Sequence, residues 1–361
     1  MARFVSTEDA AEETLQDLLF LKGKKPGTGS NIRDFFAKKI INDCASFFLA
    51  DPNIVIIEPP VIIIGSMFGD FYDLMVIFET YGYPPAKKYL FLGDIVGQGP
   101  NSLECLFLVC CLKMLHPSHV FLIRGYNEIR SVNIKSHFYK ESVRRYGEAF
   151  WERCNSLFNH LPLSAVIGDS IYCVSSSVHP DFTSINELRS LIRPFDADQD
   201  YQVTRMLSSV PVTEIGNWAF SNKNTVLTFT FAFVCEFLER NHFDVLIRSH
   251  SYINGGFEFP FEGDKRVLSL SSRPSYDFSP EKAVFNHNKA VEIHGCVLEV
   301  DVSLSTTIRT VFPLAYEYRE YYLTKTQLKE MRMKEPAPLR QGPDGSVQTV
   351  KRNPTKKKSN D

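Results

Sequence analysis

The sequence predicts an α/β fold in which two mixed β-sheets pack as a central sandwich flanked by helices. Two observations carry this expectation. From Val61 to Gly125, short apolar runs alternate with helical patterns in the order β-α-β-α-β, which implies parallel strands joined by helical crossovers. After about Leu163 the pattern changes to short strands with little crossover between them, which implies an antiparallel or mixed sheet packed on the first. No polar linker separates the halves, so residues 1–323 read as one domain.

The elements follow in order. Ser6 precedes Asp9 by three residues, a capping-box pattern that opens a helix through about Leu21. Gly23–Ser30 is a loop. A second helix, about Ile32–Leu49, places Phe35, Phe36, Ile40, Ile41, Cys44, Phe47 and Phe48 at helical spacing. Pro59-Pro60 then breaks the chain. Val61–Gly65, Tyr89–Gly93 and Val120–Gly125 read as strands, and Phe71–Thr80 and Ser102–Leu115 as helices, the second apolar nearly all round and hence buried. Ile134–Phe158 is mostly helical. Short strands follow at 165–167, 171–174, 226–231, 245–247, 256–261, 266–270, 291–300 and 307–311, with a helix at about Phe231–Asn241.

Composition narrows the function classes. With 44% hydrophobic and 23% charged residues, the 361-residue chain is neither disordered nor low-complexity, and it can bury a core without staples. A net charge of −2 excludes a general polyanion binder. The segment 324–361 differs: it is polar and basic, with ten Lys+Arg against four Asp+Glu from Lys325 on, and ends near Lys356-Lys357-Lys358. It is expected to be disordered, and nucleic-acid contact or nuclear localisation is expected from this tail if from anywhere. The eight cysteines contain no CxxC pair and mostly sit in apolar runs, the pattern of reduced core thiols rather than a disulfide frame or zinc site. The start of the chain does not read as a signal peptide and no apolar run approaches ~18 residues, so a cytoplasmic or nuclear location without a membrane span is expected.

In a parallel sheet, functional loops lie past the carboxyl ends of the strands. Here these are Gly65–Gly69, Gly93–Gly99 and Gly125–Glu128, all glycine-bearing. With Tyr72-Asp73-Leu74, Tyr89–Asp94, Leu122–Glu128 and the stretch from Trp218 to Phe231, the chain resembles over about residues 7–313 the metal-dependent phosphoprotein phosphatases, which have the calcineurin-like metallophosphatase fold. Within them it is most similar to the type-1 serine/threonine phosphatase catalytic subunit. The resemblance implies a two-metal phosphoester hydrolase with Mn-, Fe- or Zn-type ions.

The motifs depart from that family at the chemistry. GDxHG reads Gly65-Ser66-Met67-Phe68-Gly69, so Ser66 and Phe68 replace two metal ligands. GDxVDRG reads Gly93-Asp94-Ile95-Val96-Gly97-Gln98-Gly99. Asp94 matches the bridging carboxylate, Gly97 replaces the aspartate that orients the general acid, and Gln98 replaces a phosphate-clamping arginine. In Arg124–Glu128, Tyr126 stands at an asparagine ligand and Asn127 at the histidine general acid; an amide cannot donate that proton. Ser175 replaces a fourth ligand, a histidine, His250 keeps another, Lys223 stands at the second clamping arginine, and Tyr276 keeps the pocket tyrosine.

The remnants Asp94 and His250 either pair with each other and polar neighbours or hold one Zn²⁺ with help from His179, itself expected on a surface loop. Arg124 and Glu128 are expected to form a structural ion pair or backbone contact. Phe68 and Tyr126 would fill the volume the metals vacate. Lys223, Arg248 or Arg273 could still trap phosphate. The expected function is therefore that of a catalytically inactive phosphatase homologue, without a cofactor, acting as decoy or scaffold. Its alternatives are a residual metal-dependent phosphoserine/phosphothreonine phosphatase and a phosphopeptide-binding module without turnover. The expected partners are regulators or targets of type-1 phosphatases. The resemblance places their Val- and Phe-anchored peptides in a groove at Ile171, Val245, Phe259, Leu268, Leu304 and Ile308, flanked by Asp169 and Asp244, with Ile308 in place of a phenylalanine and Thr306 of a cysteine.

Overall fold

Short strands with apolar residues at every position are the raw material of a two-faced sheet. Val61–Ile64 sends Val61 and Ile63 to one face and Ile62 and Ile64 to the other, and Tyr89–Phe91 and Val120–Leu122 split the same way. In this computed structural model, residues 5–213, 216, 218–220, 226–251, 253, 255–274, 294–312, 339–341 and 347–349 are described. The three strands pair in parallel and lie in a five-stranded sheet of order Thr306–Val311, Gly295–Val300, Val61–Ile64, Tyr89–Phe91, Val120–Leu122. A six-stranded sheet runs Ile54–Ile57, Ser164–Ile167, Ile171–Val174, Val245–Arg248, Val267–Leu270, Phe257–Glu258.

The sheets face each other. Ile63, Leu90 and Ile123 of the first share one buried cluster with Ile167, Ile247 and Leu270 of the second. The outer face of the first sheet packs, through Ile64 and Phe91, against helices Thr7–Leu19, Asp34–Ala50, Phe71–Tyr81 and Ser102–Leu115. The outer face of the second packs, through Tyr172 and Leu246, on helices Tyr201–Leu207 and Phe231–Asn241. Each fully buried Ile, Leu or Phe in these layers contributes about 1.5–3 kcal/mol. The predicted capping box at Ser6 and Asp9 is present.

Three expectations change. The strands do not divide between the sheets by halves of the chain. Gly295–Val300 returns to the first sheet, antiparallel, with Leu298 opposite Ile63, and Thr306–Val311 follows as its edge. Apolar pattern identifies a strand but not its partner. Ile54–Ile57 is a strand the sequence reading missed, because it ends just before the Pro59-Pro60 break. Ile134–Phe158 contains two main helices, His137–Tyr146 and Glu148–Phe158, parted at Gly147, whose φ of +87° an L side chain rarely adopts. Within the segment 324–361, Leu339–Gln341 and Val347–Thr349 pair as antiparallel strands. The chain divides into two compact units: one comprises Met1–Asp277 with Val284–Leu314, and the other, Phe278–Ala283 with Ala315–Asp361, holds this strand pair.

All eight cysteines are free thiols, seven of them buried. Among the described residues no helix is long and apolar enough to cross a membrane.

Candidate functional site

The loops singled out in the sequence converge at one edge of the sandwich, where carboxyl ends of strands from both sheets meet. Ser66 forms an isolated parallel bridge with Ser271, and the Gly65 N–H donates to Ser272 Oγ at 2.7 Å. A Cβ on Gly65 would sit 2.4 Å from the Leu270 carbonyl oxygen, so only glycine lets the two sheets close here. Asp94, Phe68 and His250 have φ of +50°, +50° and +68°, left-handed conformations rarely adopted by side-chain-bearing residues. Such conformations concentrate at functional sites.

Asp94 is the hub. It is fully buried, and both its oxygens are filled. Asn127 donates its backbone N–H at 2.7 Å and its side-chain amide at 2.8 Å to Oδ1. His250 Nδ1 lies 2.9 Å from Oδ2, and the Ser66 hydroxyl donates to the same oxygen at 3.3 Å. Burial works to raise the Asp94 pKa, but the nearby His250 and the Asn127 hydrogen bonds outweigh it and hold the carboxyl below its ordinary value. Ser249, which the sequence reading passed over, completes the cluster. Its Oγ accepts the Ser66 N–H at 2.6 Å and lies 2.8 Å from Ser66 Oγ, while the His250 N–H donates to Ser66 Oγ at 3.1 Å.

Beneath Asp94 lies Glu128, also fully buried. Its carboxylate accepts four main-chain N–H groups: Asp94 at 2.7 Å and Gly125 at 2.9 Å on Oε2, Ile95 at 2.9 Å and Val96 at 3.3 Å on Oε1. Burial and the Asp94 charge push this carboxyl up, against the pull of the Asp94, Val96 and Gly125 N–H groups. Arg124 does not pair with the Glu128 carboxylate. It holds the Glu128 main-chain carbonyl through Nε at 3.3 Å and Nη2 at 3.1 Å, and reaches Phe195 and Asn159. Of the two expectations for this pair, the backbone contact is the one present.

The other positions separate into near and far. Tyr126 sets its ring edge-on to His250, centroids 5.1 Å apart, and burial with Asp94 nearby pushes its phenol pKa up. Phe68 is buried beside Gly97, where an added Cβ would lie 3.2 Å from its Cα. Ser175 is buried, and its Oγ has no hydrogen-bond partner. Gln98 turns away: it is exposed and accepts the His137 N–H at 3.2 Å, at the start of the His137–Tyr146 helix. Lys223 and Tyr276 lie outside the described residues. Arg248 is fully buried and spends its guanidinium on Ser176, Ser209, Ser251 and Ser269. Arg273, also buried, places Nε 3.5 Å from Asp70 Oδ2. Asp70 caps the Phe71–Tyr81 helix, a role its position directly after Gly69 gives it and its side chain performs at the Asp73 N–H.

His179 is not the surface-loop residue expected: it is 3% exposed and lines a pocket with Phe182, Trp218 and Phe237. Among the described residues no three His, Cys, Asp or Glu side chains are placed to hold a metal ion together, His179 with Asp94 and His250 included.

The sequence profile of calcineurin-like phosphoesterases matches residues 41–254, more than half of the chain and the segment that supplies Ser66, Asp94, Asn127, Ser175 and His250. The chain belongs to the calcineurin-like phosphoesterase family. Its metallophosphatase fold is similar to that of a protein serine/threonine phosphatase from Saccharomyces cerevisiae, described as similar to human phosphatase PP5, with a TM-score of 0.70 at 24% identity over 84% of this chain and 97% of that one. A cold-active protein-tyrosine phosphatase from a psychrophilic Shewanella is similar at a TM-score of 0.50 and 12% identity, over 73% and 84% of the two chains. These two likenesses speak to the fold. Where the Gly65–Gly69, Gly93–Gly99 and Gly125–Glu128 loops meet, the Asp94 carboxylate and the His250 imidazole lie 2.9 Å apart, above the Glu128 carboxylate.

Of the six groove positions, five gather in the inter-sheet cluster. Ile171 and Leu268 are buried there, while Val245, Leu304 and Ile308 pack partly exposed at its rim. Phe259 is not among them. It is 36% exposed and sets its ring beside Phe257 instead, centroids 6.2 Å apart. Asp169 and Asp244 are exposed, and Thr306–Val311 is an edge strand of its sheet among the described residues.

Proposed function

We propose that this phosphoesterase is a catalytically inactive relative of the type-1 serine/threonine phosphatases that works by binding their regulatory or target proteins, as decoy or scaffold. The observation that carries it is the filled Asp94 carboxylate. Two divalent cations want several oxygen or nitrogen donors each. At the six ligand positions of the family this chain offers Asp94, whose oxygens already accept four protein hydrogen bonds, and His250, which makes one of them. Ser66 and Ser175 add only neutral hydroxyls and Phe68 no donor, and the Tyr126 phenol is pushed further from ionising. This set does not fit a two-metal centre. Asn127, at the general-acid position, donates to Asp94 rather than toward a leaving group.

The binding half of the proposal rests on the groove. A partly exposed apolar rim of Val245, Leu304 and Ile308 beside an edge strand suits an extended peptide that adds main-chain hydrogen bonds and seats apolar anchors, and Asp169 and Asp244 suit a basic residue at its start. Capture of phosphopeptides is the weaker reading, because Arg248 and Arg273 are both buried and engaged within the protein.

Both halves are tested together. A Val-x-Phe peptide with basic flanks is expected to bind the wild-type chain saturably, and Ile308→Asp, at the rim, is expected to weaken it at least ~10-fold, the ~1.4 kcal/mol or more that a misplaced charge against an apolar anchor removes. Equal binding to wild type and Ile308→Asp would remove the groove from the proposal. Turnover of a phosphoserine peptide in Mn²⁺ that is lost in Asp94→Asn would overturn inactivity.

A further inference from the structure

The edge strand Thr306–Val311 has two faces, and the proposed groove uses one of them. Ile308 turns inward to the cluster between the sheets. Side chains alternate along a strand, so Thr307 and Arg309 turn to the outer face. The register agrees: Thr307 lies opposite Glu299, and Glu299 opposite Ile62, which packs in the outer cluster. On this face lies a cleft of about 530 Å³. Thr307 and Arg309 line it from the edge strand, and Lys87 and Lys88 line it from beyond two intervening strands.

The acids of this cleft are engaged within the protein, and its cations are not used up. Glu299 Oε2 holds Arg309 Nε at 2.7 Å. Asp301 Oδ1 accepts the Ser303 N–H, the Ser303 hydroxyl and the Ser305 N–H at 2.8, 2.7 and 3.0 Å. Among the described residues neither Lys87 nor Lys88 has a carboxylate partner; the Lys88 ammonium donates to the Glu58 main-chain oxygen. Arg309 reaches Glu299 through Nε, which leaves its two Nη groups for a further acceptor. The Arg309 side chain is 54% exposed against 27% for Glu299, which stands one strand further in, so an added strand meets the cation first.

An extended peptide that pairs along Thr306–Val311 with two apolar anchors inward must turn the residue between them outward. Opposite side chains on neighbouring strands have Cβ atoms about 4.5–5.5 Å apart, and diagonal ones about 7–8 Å, so Arg309 reaches that residue whether it falls opposite Thr307 or opposite Arg309 itself. Resting on the groove reading above, we propose that this chain selects peptides with an acidic residue between the two apolar anchors, its carboxylate received by the Arg309 Nη groups at the mouth of the cleft. Arg309 is then the residue that sets specificity.

The test titrates the full chain, by fluorescence anisotropy, with three labelled peptides that share basic flanks and differ only in the middle residue: Val-Glu-Phe, Val-Gln-Phe and Val-Lys-Phe. The glutamate peptide is expected to bind about 3-fold more tightly than the glutamine peptide and about 10-fold more tightly than the lysine peptide. Arg309→Gln should at least halve the preference for glutamate over lysine, and Arg309→Glu should reverse it. Saturable binding with equal affinity for the three peptides, or a preference that Arg309→Gln leaves undiminished, would overturn the proposal and leave the groove standing. No saturable binding of any of the three would remove the groove reading and this proposal with it. The wild-type comparison decides even if a variant does not fold.

Discussion

Replacing Asp94 with alanine is expected to lower the unfolding free energy by about 4 kcal/mol, because it strips a buried charge network of its acceptor. Four donors lose their partner at once: two from Asn127, one from His250 and one from Ser66. The direction is informative. A carboxylate kept for metal binding faces other ligands that repel it, and its removal tends to be neutral or stabilising. A carboxylate that ties three loops together cannot be spared. Urea denaturation decides, and a loss under about 1 kcal/mol would contradict a structural Asp94. The pH dependence has a definite sign. The folded Asp94 pKa lies below its unfolded value near 3.9, so its contribution is fully present above about pH 4 and fades as pH falls through the folded value. The stability gap between wild type and Asp94→Asn should therefore close below about pH 4.

Glu128→Ala is expected to cost about 3–4 kcal/mol by a different route. No side-chain partner is lost; four main-chain N–H groups, from Asp94, Ile95, Val96 and Gly125, are left buried without an acceptor, each worth roughly 1 kcal/mol or more. Glu128→Gln keeps one acceptor oxygen but turns an NH₂ toward the donors on the other side, so it should recover about half of the loss. The loops that carry Asp94 and Asn127 touch through Gly93 and Gly125, where an added Cβ on Gly93 would lie 2.4 Å from the Gly125 nitrogen. Loss of Glu128 should thus loosen the whole edge, and native-state hydrogen exchange at 94–96 should rise in step with the fall in stability. Unchanged exchange there would show that Glu128 is not what holds these loops.

Much of this was legible in the residues. The β-α-β-α-β run from Val61 to Gly125 has its helices and strands where apolar period and glycine punctuation put them, since crossover helices and buried strands carry strong patterns. The partnership of Gly295–Val300 with Val61–Ile64 was not legible, because register across so long a separation is fixed by which apolar faces close the sandwich, not by anything local. At the site, the pairing of Asp94 with His250 was one of two open readings, and the two side chains meet at 2.9 Å. Ser249 was overlooked: a serine beside His250 has no signature until the Ser66 loop is folded against it. Gln98 and Phe259 were named from position in a motif. Gln98 accepts the His137 N–H at the start of the His137–Tyr146 helix, and Phe259 sets its ring beside Phe257. A loop position fixes the backbone, and the nearest unmatched donor or apolar ring then decides the rotamer. His179 was misplaced for the opposite reason: a polar residue before a proline reads as surface, yet it lines a ring-walled pocket.

The central claim is that Asp94 and His250 serve each other rather than a pair of ions. Elemental analysis tests it most directly, on protein purified in excess Mn²⁺ and then dialysed. The account predicts a metal content near zero per chain. A content near two per chain would contradict it, since the described donors around Asp94 could then not be the resting partners of that carboxylate.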